Sequence, residues 1–255
     1  MDFQKDINPS MREILNDWLI EVHLKFKLEP ETLYLTVNLI DRYLSTTSIY
    51  RNKLQLVGVT AMLIASKYEE IYPPIVSDFV YITDNAYTRE EILAMEERIL
   101  IALQFGMHFT SPYRFLERFI QLKNSSETEK NFALFMLEGS LIQYQMLQYR
   151  PSILAASALY LASKLCFSKE PWSNRMASIT TLQEKTLRKC AKDIYEVVLL
   201  RNIDENNKLR AVFNKFSNSK YGSVSTKIQQ RTQQKESLAQ GTVVSSKSKG
   251  SHNVS

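Results

Sequence analysis

At 255 residues, with 44% hydrophobic and 23% charged side chains, the chain has the size and composition of one or two globular domains with a sizeable core. Its net charge of +5 gathers at one end: from Phe216 onward six bases (Lys220, Lys227, Arg231, Lys235, Lys247 and Lys249) face Glu236 alone. The remainder is close to neutral, which argues against nucleic-acid binding through phosphate contacts.

Residues 1–9 form a short polar lead. In 11–26 apolar residues at 11, 14, 15, 18, 19, 22 and 26 make the stripe of an amphipathic helix, with Ser10 placed to cap it. The stretch 31–45 repeats the pattern after Pro30, which favours a helix start. The stretch 54–70 is apolar on every side as far as Ser66, so it belongs at the centre of a helical domain. Charge arrives at Lys67, before the roughly 20 apolar residues that a membrane span needs. This helix then brings Lys67, Tyr68, Glu69 and Glu70 to the surface just before Pro73-Pro74, and that end is the first candidate for function. A short helix over 77–82 and a longer one over 88–103, opened by a Thr-Arg-Glu-Glu capping pattern, complete five.

The pattern then restarts. Ala65-Ser66-Lys67 recurs 97 residues later as Ala162-Ser163-Lys164. One ungapped shift also lays Trp18-Leu19 on Phe115-Leu116, Leu39-Ile40 on Met136-Leu137, and Glu96 on Asp193. The fold expected is all-α, two five-helix repeats each built around a buried third helix: 10–108 and 109–217, the second centred on 151–165. A last helix is expected within 203–217. From Ser219 the composition turns to Ser, Gln, Lys and Gly, so 218–255 reads as a basic tail without fixed structure.

Reactive constellations are scarce. His23, His108 and His252 have no nucleophile or acid at motif spacing and read as surface residues. There is no Gly-rich phosphate loop. Neighbours in Glu69-Glu70 and Glu96-Glu97 point about 100° apart on a helix, so each pair reads as solvated charge rather than a ligand set. Cys166 and Cys190 have no metal or disulfide spacing, and the opening residues have no apolar leader, so an intracellular protein with buried free thiols is expected. We therefore expect no enzyme, no metal and no cofactor.

The segments MREILNDWLIEVHLKF (11–26), ETLYLTVNLIDRYLS (31–45), KLQLVGVTAMLIASKYEEIYPP (53–74) and DFVYITDNAYTREEILAMEERIL (78–100) closely resemble a cyclin of the mitotic B type. SPYRFLERF (111–119), PSILAASALYLASKL (151–165) and NSKYGSVS (218–225) resemble its second box and its close. The resemblance implies tandem cyclin boxes and a regulatory subunit that activates a cyclin-dependent Ser/Thr kinase at G2/M, in nucleus and cytoplasm. Lys67 and Glu96 would form the charged pair at the kinase, with Tyr68, Glu69, Ile71, Leu100, Phe105 and Met107 around it. Met11, Ile14, Leu15, Trp18, Leu54 and Gln55 would form the patch that captures Arg-x-Leu-type motifs of substrates or inhibitors, Glu21 pairing with the basic residue. Arg12 and Asp41 would be a buried structural pair. B-type cyclins carry a destruction box ahead of the first box; Arg12-Glu-Ile-Leu15 fits only its minimal string and lies inside a helix. Arg114 and Arg118 lie where phosphorylated partners can bind, but Ile101 stands where a base is expected.

Neither nucleic acid nor membrane is expected as a partner. The competing reading is a cyclin-fold general transcription factor, since one fold serves both. That reading calls for basic outer faces and a preceding zinc ribbon, and the sequence shows neither.

Overall fold

The computed structural model describes residues 4–234, and every regular element among them is helical. The first repeat comprises α1 (Pro9–Phe26), α2 (Pro30–Thr46), α3 (Leu54–Glu69), α4 (Val76–Ile82) and α5 (Arg89–Ala102). The second comprises α6 (Pro112–Lys123), α7 (Glu127–Ile142), α8 (Pro151–Leu165), α9 (Asn174–Thr180) and α10 (Glu184–Asp193). A π-helical turn, Ile194–Leu199, carries α10 into α11 (Leu200–Ile203); α12 (Ala211–Ser217) and α13 (224–234) follow. Moved 97 residues along the chain, α2 and α3 fall on 127–143 and 151–166, where α7 and α8 stand.

Local chemistry sets the ends. The Thr88 hydroxyl accepts from Glu91 N while the Glu91 carboxylate takes Thr88 N–H, the expected capping box. Ser111, Ser126 and Ser173 cap α6, α7 and α9. At α1 the cap is Asn8, not Ser10: Pro9 takes the first helical position, where its missing N–H costs nothing.

α3 and α8 are the buried axles, with Val57–Ser66 and Leu154–Ser163 inside. The unexpected packing is at α1. Leu15, Leu19 and Val22 pack into its own box, yet its polar residues Arg12, Glu13, Asn16 and Asp17 are buried as well, against the second box. Each finds a partner there or beside it. Arg12 Nη1 donates to Ile142 O (3.0 Å) and Asn16 Nδ2 to Leu141 O (2.8 Å). Glu13 receives Arg201 Nη2 (2.8 Å), and Asp17 Oδ1 accepts Ala211 N–H (3.0 Å). One helix thus seams the two boxes together by buried polar groups, each bonded across the seam or beside it, with only Asn16 Oδ1 of the four side chains left without a partner.

Two further expectations need correction. Residues 204–210 are irregular, so the last helix of 203–217 is only α12. The stretch from Ser219 is structured as far as 234: Val224, Ser225 and Ile228 are buried, and Ser225 Oγ donates to Phe213 O (2.9 Å). A few apolar residues on one helical face found a groove in the second box, which composition alone does not show. Residues 235–255 lie outside the described part.

Candidate functional site

The end of α3 is where a buried helix meets solvent. Lys67 Nζ lies 2.7 and 2.8 Å from the two oxygens of Glu96 on α5, its side chain 45% exposed and that of Glu96 15%. Tyr68 and Glu69 are exposed beside it, and in the loop to α4 Ile71 (87%) and Tyr72 (91%) stand almost free of the protein, with Ile75 also exposed. After α5 the chain turns back: Phe105 N–H reaches Leu100 O (2.9 Å) and Met107 N–H reaches Phe105 O (2.9 Å). Arg42 of α2 pins this turn through Gly106 O (2.6 Å). Phe105 is exposed at φ 54°, an uncommon conformation for an aromatic residue, while Leu100 and Met107 are half-buried. Exposed apolar side chains gathered around a fixed ion pair make this end of α3 the candidate interaction surface. Tyr72 and Ile75, which no sequence pattern singled out, and Ile101 are exposed as well, and their exposure depends on how the loop and α5 sit.

A second surface lies on the outer face of α1. Met11, Ile14, Leu15, Trp18, Leu54 and Gln55 line one open groove of about 550 Å³, with Arg51 and Asn52 at its edge. The i, i+3, i+4, i+7 spacing puts the α1 residues on one face. Leu15 is buried because it packs on Gly58 of α3, where an added Cβ would meet Leu15 Cδ1 at 2.7 Å. Glu21 does not line this groove. It lies one turn further along α1, at a separate cleft with Leu24, Asn214, Lys215 and Tyr221. Arg51 is held by Asp6 (2.8 Å).

Arg12 and Asp41 meet in a two-pronged bond, Nε–Oδ1 2.5 Å and Nη2–Oδ2 2.8 Å, with Arg12 fully buried. Arg114 pairs with Glu31 (2.7 Å) and Glu117 (3.2 Å). Glu70 is not solvated charge: its Oε1 accepts from Glu29 N–H (2.8 Å) and Thr32 Oγ1 (2.5 Å). His23 is not a surface residue: it is buried, Nε2 lies 2.9 Å from Glu29 O, and burial lowers its pKa, favouring the neutral ring. Burial pushes the Cys190 thiol up to about 11 and raises that of the half-buried Cys166, so neither is an activated nucleophile. Among the described residues no group of three His, Cys, Asp or Glu is placed to hold a metal, and no helix is long and apolar enough to cross a membrane.

Comparison with known proteins identifies the family. Residues 1–108 match the family described as "Cyclin, N-terminal domain" and residues 110–230 that described as "Cyclin, C-terminal domain". Cyclin-B2-3 of Arabidopsis thaliana is 46% identical over 221 residues, 87% of this chain and 51% of its own length. The G2/mitotic-specific cyclin S13-7 of Glycine max is 45% identical over 225 residues, 88% of this chain and 86% of its own. The chain spans about half the length of most such relatives. Among solved structures, a viral cyclin from herpesvirus saimiri superposes with TM-score 0.67 at 23% identity, covering 76% of this chain and 89% of that one. A chain of the yeast RNA Pol II CTD kinase CTDK-1 complex does so with TM-score 0.65 at 16% identity, covering 80% and 69%. At these identities the structural likeness shows the fold alone. With both domains matched and a relative covered nearly end to end, the chain belongs to the cyclin family, among its B-type, G2/mitotic-specific members.

Proposed function

We propose that this chain is the non-catalytic regulatory subunit of a cyclin-dependent Ser/Thr kinase, acting at G2/M in nucleus and cytoplasm. The observation that carries this is the Lys67–Glu96 pair at the open end of the buried helix, ringed by exposed Tyr68, Ile71 and Phe105. That surface receives the kinase's C-helix. The ion pair presents a fixed pattern of charge, and the apolar residues supply the burial that drives association. The kinase's catalytic Lys–Glu pair forms only with its C-helix held inward, and contacts made only to that state shift the population toward it. The groove on α1 gives the complex a second contact, taking the apolar side chain of an Arg-x-Leu-type motif. Because Glu21 lies beyond the groove, a docking peptide reaches it only by running along α1 toward α12.

Mixing the purified chain with a monomeric cyclin-dependent kinase and following phosphate transfer to a histone-like substrate tests the proposal. Activation by wild type, and its loss in a Lys67→Ala, Glu96→Ala variant, is expected. No activation by a folded wild-type chain sinks it. The distribution of a tagged chain through the cell cycle checks compartment and timing.

A further inference from the structure

We propose that Glu70 is a positioning residue for the kinase-facing lip, an inference that rests on the regulatory reading above. Glu70 ends α3 in an extended conformation, and the chain then runs through Ile71, Tyr72, Pro73 and Pro74 without regular structure. Among the described residues these four make no hydrogen bond, so nothing internal to the loop sets where Ile71 and Tyr72 project. The loop is tied instead at its two ends by carboxylates. At the far end Asp78 Oδ2 accepts Ile75 N–H (3.0 Å). At the near end Glu70 reaches across to another helix.

That helix needs what Glu70 provides. α2 begins with Pro30, which has no N–H, and its N-cap residue Glu29 makes no side-chain cap. The Glu70 carboxylate stands at that end, one oxygen accepting the Glu29 N–H just ahead of the helix and the Thr32 hydroxyl in its first turn. Both partners are held in turn. Thr32 is fully buried and its N–H donates to Glu29 O (3.1 Å), and the same carbonyl lies 2.9 Å from buried His23 Nε2. A negative charge at a helix N-terminus is favoured by the helix dipole, and charge-assisted bonds are the stronger kind. Glu70 therefore fixes the root of the loop three residues after Lys67, setting Ile71 and Tyr72 relative to the Lys67–Glu96 pair. Glu70 itself touches no reacting group.

The test measures the affinity of the full chain for a monomeric cyclin-dependent kinase, and in parallel for an Arg-x-Leu peptide that uses the α1 groove. Glu70→Ala is expected to weaken kinase binding about tenfold and leave peptide binding unchanged. Glu70→Gln, which keeps an oxygen for both donors, is expected to restore most of the loss. Thr32→Val, which removes one donor, is expected to act in the same direction and to add little on top of Glu70→Ala, as for two ends of one contact. Wild-type affinity in Glu70→Ala overturns the proposal. So does equal weakness of Glu70→Ala and Glu70→Gln together with full affinity in Thr32→Val, which would assign the effect to the charge meeting the kinase directly rather than to the bonds with α2. A parallel fall in peptide binding also overturns it, as general damage. A folded wild-type chain that binds no such kinase overturns the regulatory reading instead, and is told apart by failing before any substitution.

Discussion

The two boxes carry the same Ala-Ser-Lys at the end of their central helices and use it differently. In the first, Lys67 crosses to Glu96 and the pair stands open to a partner. In the second, Lys164 lies over its own Tyr160 ring (4.8 Å), and Asp193, which occupies Glu96's place in the repeat, is bonded by the Tyr149 hydroxyl. Tyr160 gives its own hydroxyl to Glu184 (2.9 Å). In the second lip these groups pair with neighbours of their own box, although Lys164 itself stays exposed. The acids Asp41, partly buried, and Glu138, buried, tell a similar story. Asp41 and Glu138 correspond under the 97-residue shift, but Asp41 takes its base from α1, whereas α6 starts late and Phe109 stands at Arg12's place. Lys215 of α12 supplies the missing base, both oxygens of Glu138 at 2.7 Å. A repeated fold preserves the positions of its helices; which side chains meet depends on what else packs there.

The largest expected effect breaks those two buried pairs. Arg12→Ala strands Asp41, and Lys215→Ala strands Glu138. Each is expected to cost about 3–5 kcal/mol in urea unfolding. A Lys215→Ala chain as stable as wild type would mean that α12 does not complete the second box.

The seam between the boxes predicts a pH dependence. Burial pushes the Asp17 carboxyl up to about 6, against the bond from Ala211 N–H, while in the unfolded chain it ionises near 4. The folded state thus holds the proton more tightly, so stability is lost as pH rises from about 4 to about 6. Asp17→Asn keeps an oxygen for Ala211 N–H. It is expected to be more stable than wild type by about 1–3 kcal/mol at pH 7.5, with the gain vanishing near pH 4. An equal gain at both pH values would contradict the assignment.

Smaller effects separate packing from docking. Gly58→Ala forces Leu15 aside by the α1 groove, and Gly139→Ala forces Val198 and Asn202, whose atoms lie 2.7 and 2.9 Å from the added Cβ. Each is expected to cost about 1–3 kcal/mol in thermal unfolding. Only Gly58→Ala is expected to weaken binding of an Arg-x-Leu peptide. The converse would move the docking site to the second box.

Much of this was legible beforehand. The axle helices, the 97-residue shift and the ends of α3 and α8 follow from helical periodicity, prolines and capping residues, all local. Lys67 with Glu96, Arg12 with Asp41, and the α1 groove came from resemblance of long motifs, which carries tertiary information that spacing lacks. The rest depended on long-range contacts. The polar face of α1 reads as solvated until the second box covers it. Glu70 reads as a surface acid because its partners lie 38 and 41 residues away. Residues 224–234 read as tail because three buried side chains, Val224, Ser225 and Ile228, are too few to signal a helix by composition.

The most direct test sets the two lips side by side. The affinity of a monomeric cyclin-dependent kinase is measured for wild type, for Lys67→Ala with Glu96→Ala, and for Lys164→Ala with Asp193→Ala. Lys67 is exposed, so losing its pair is expected to cost about 0–1 kcal/mol of stability. At least a tenfold loss of kinase affinity is expected in the first variant, as for a central interface contact, and none in the second. Equal affinity for all three, or loss confined to the second, would contradict that expectation.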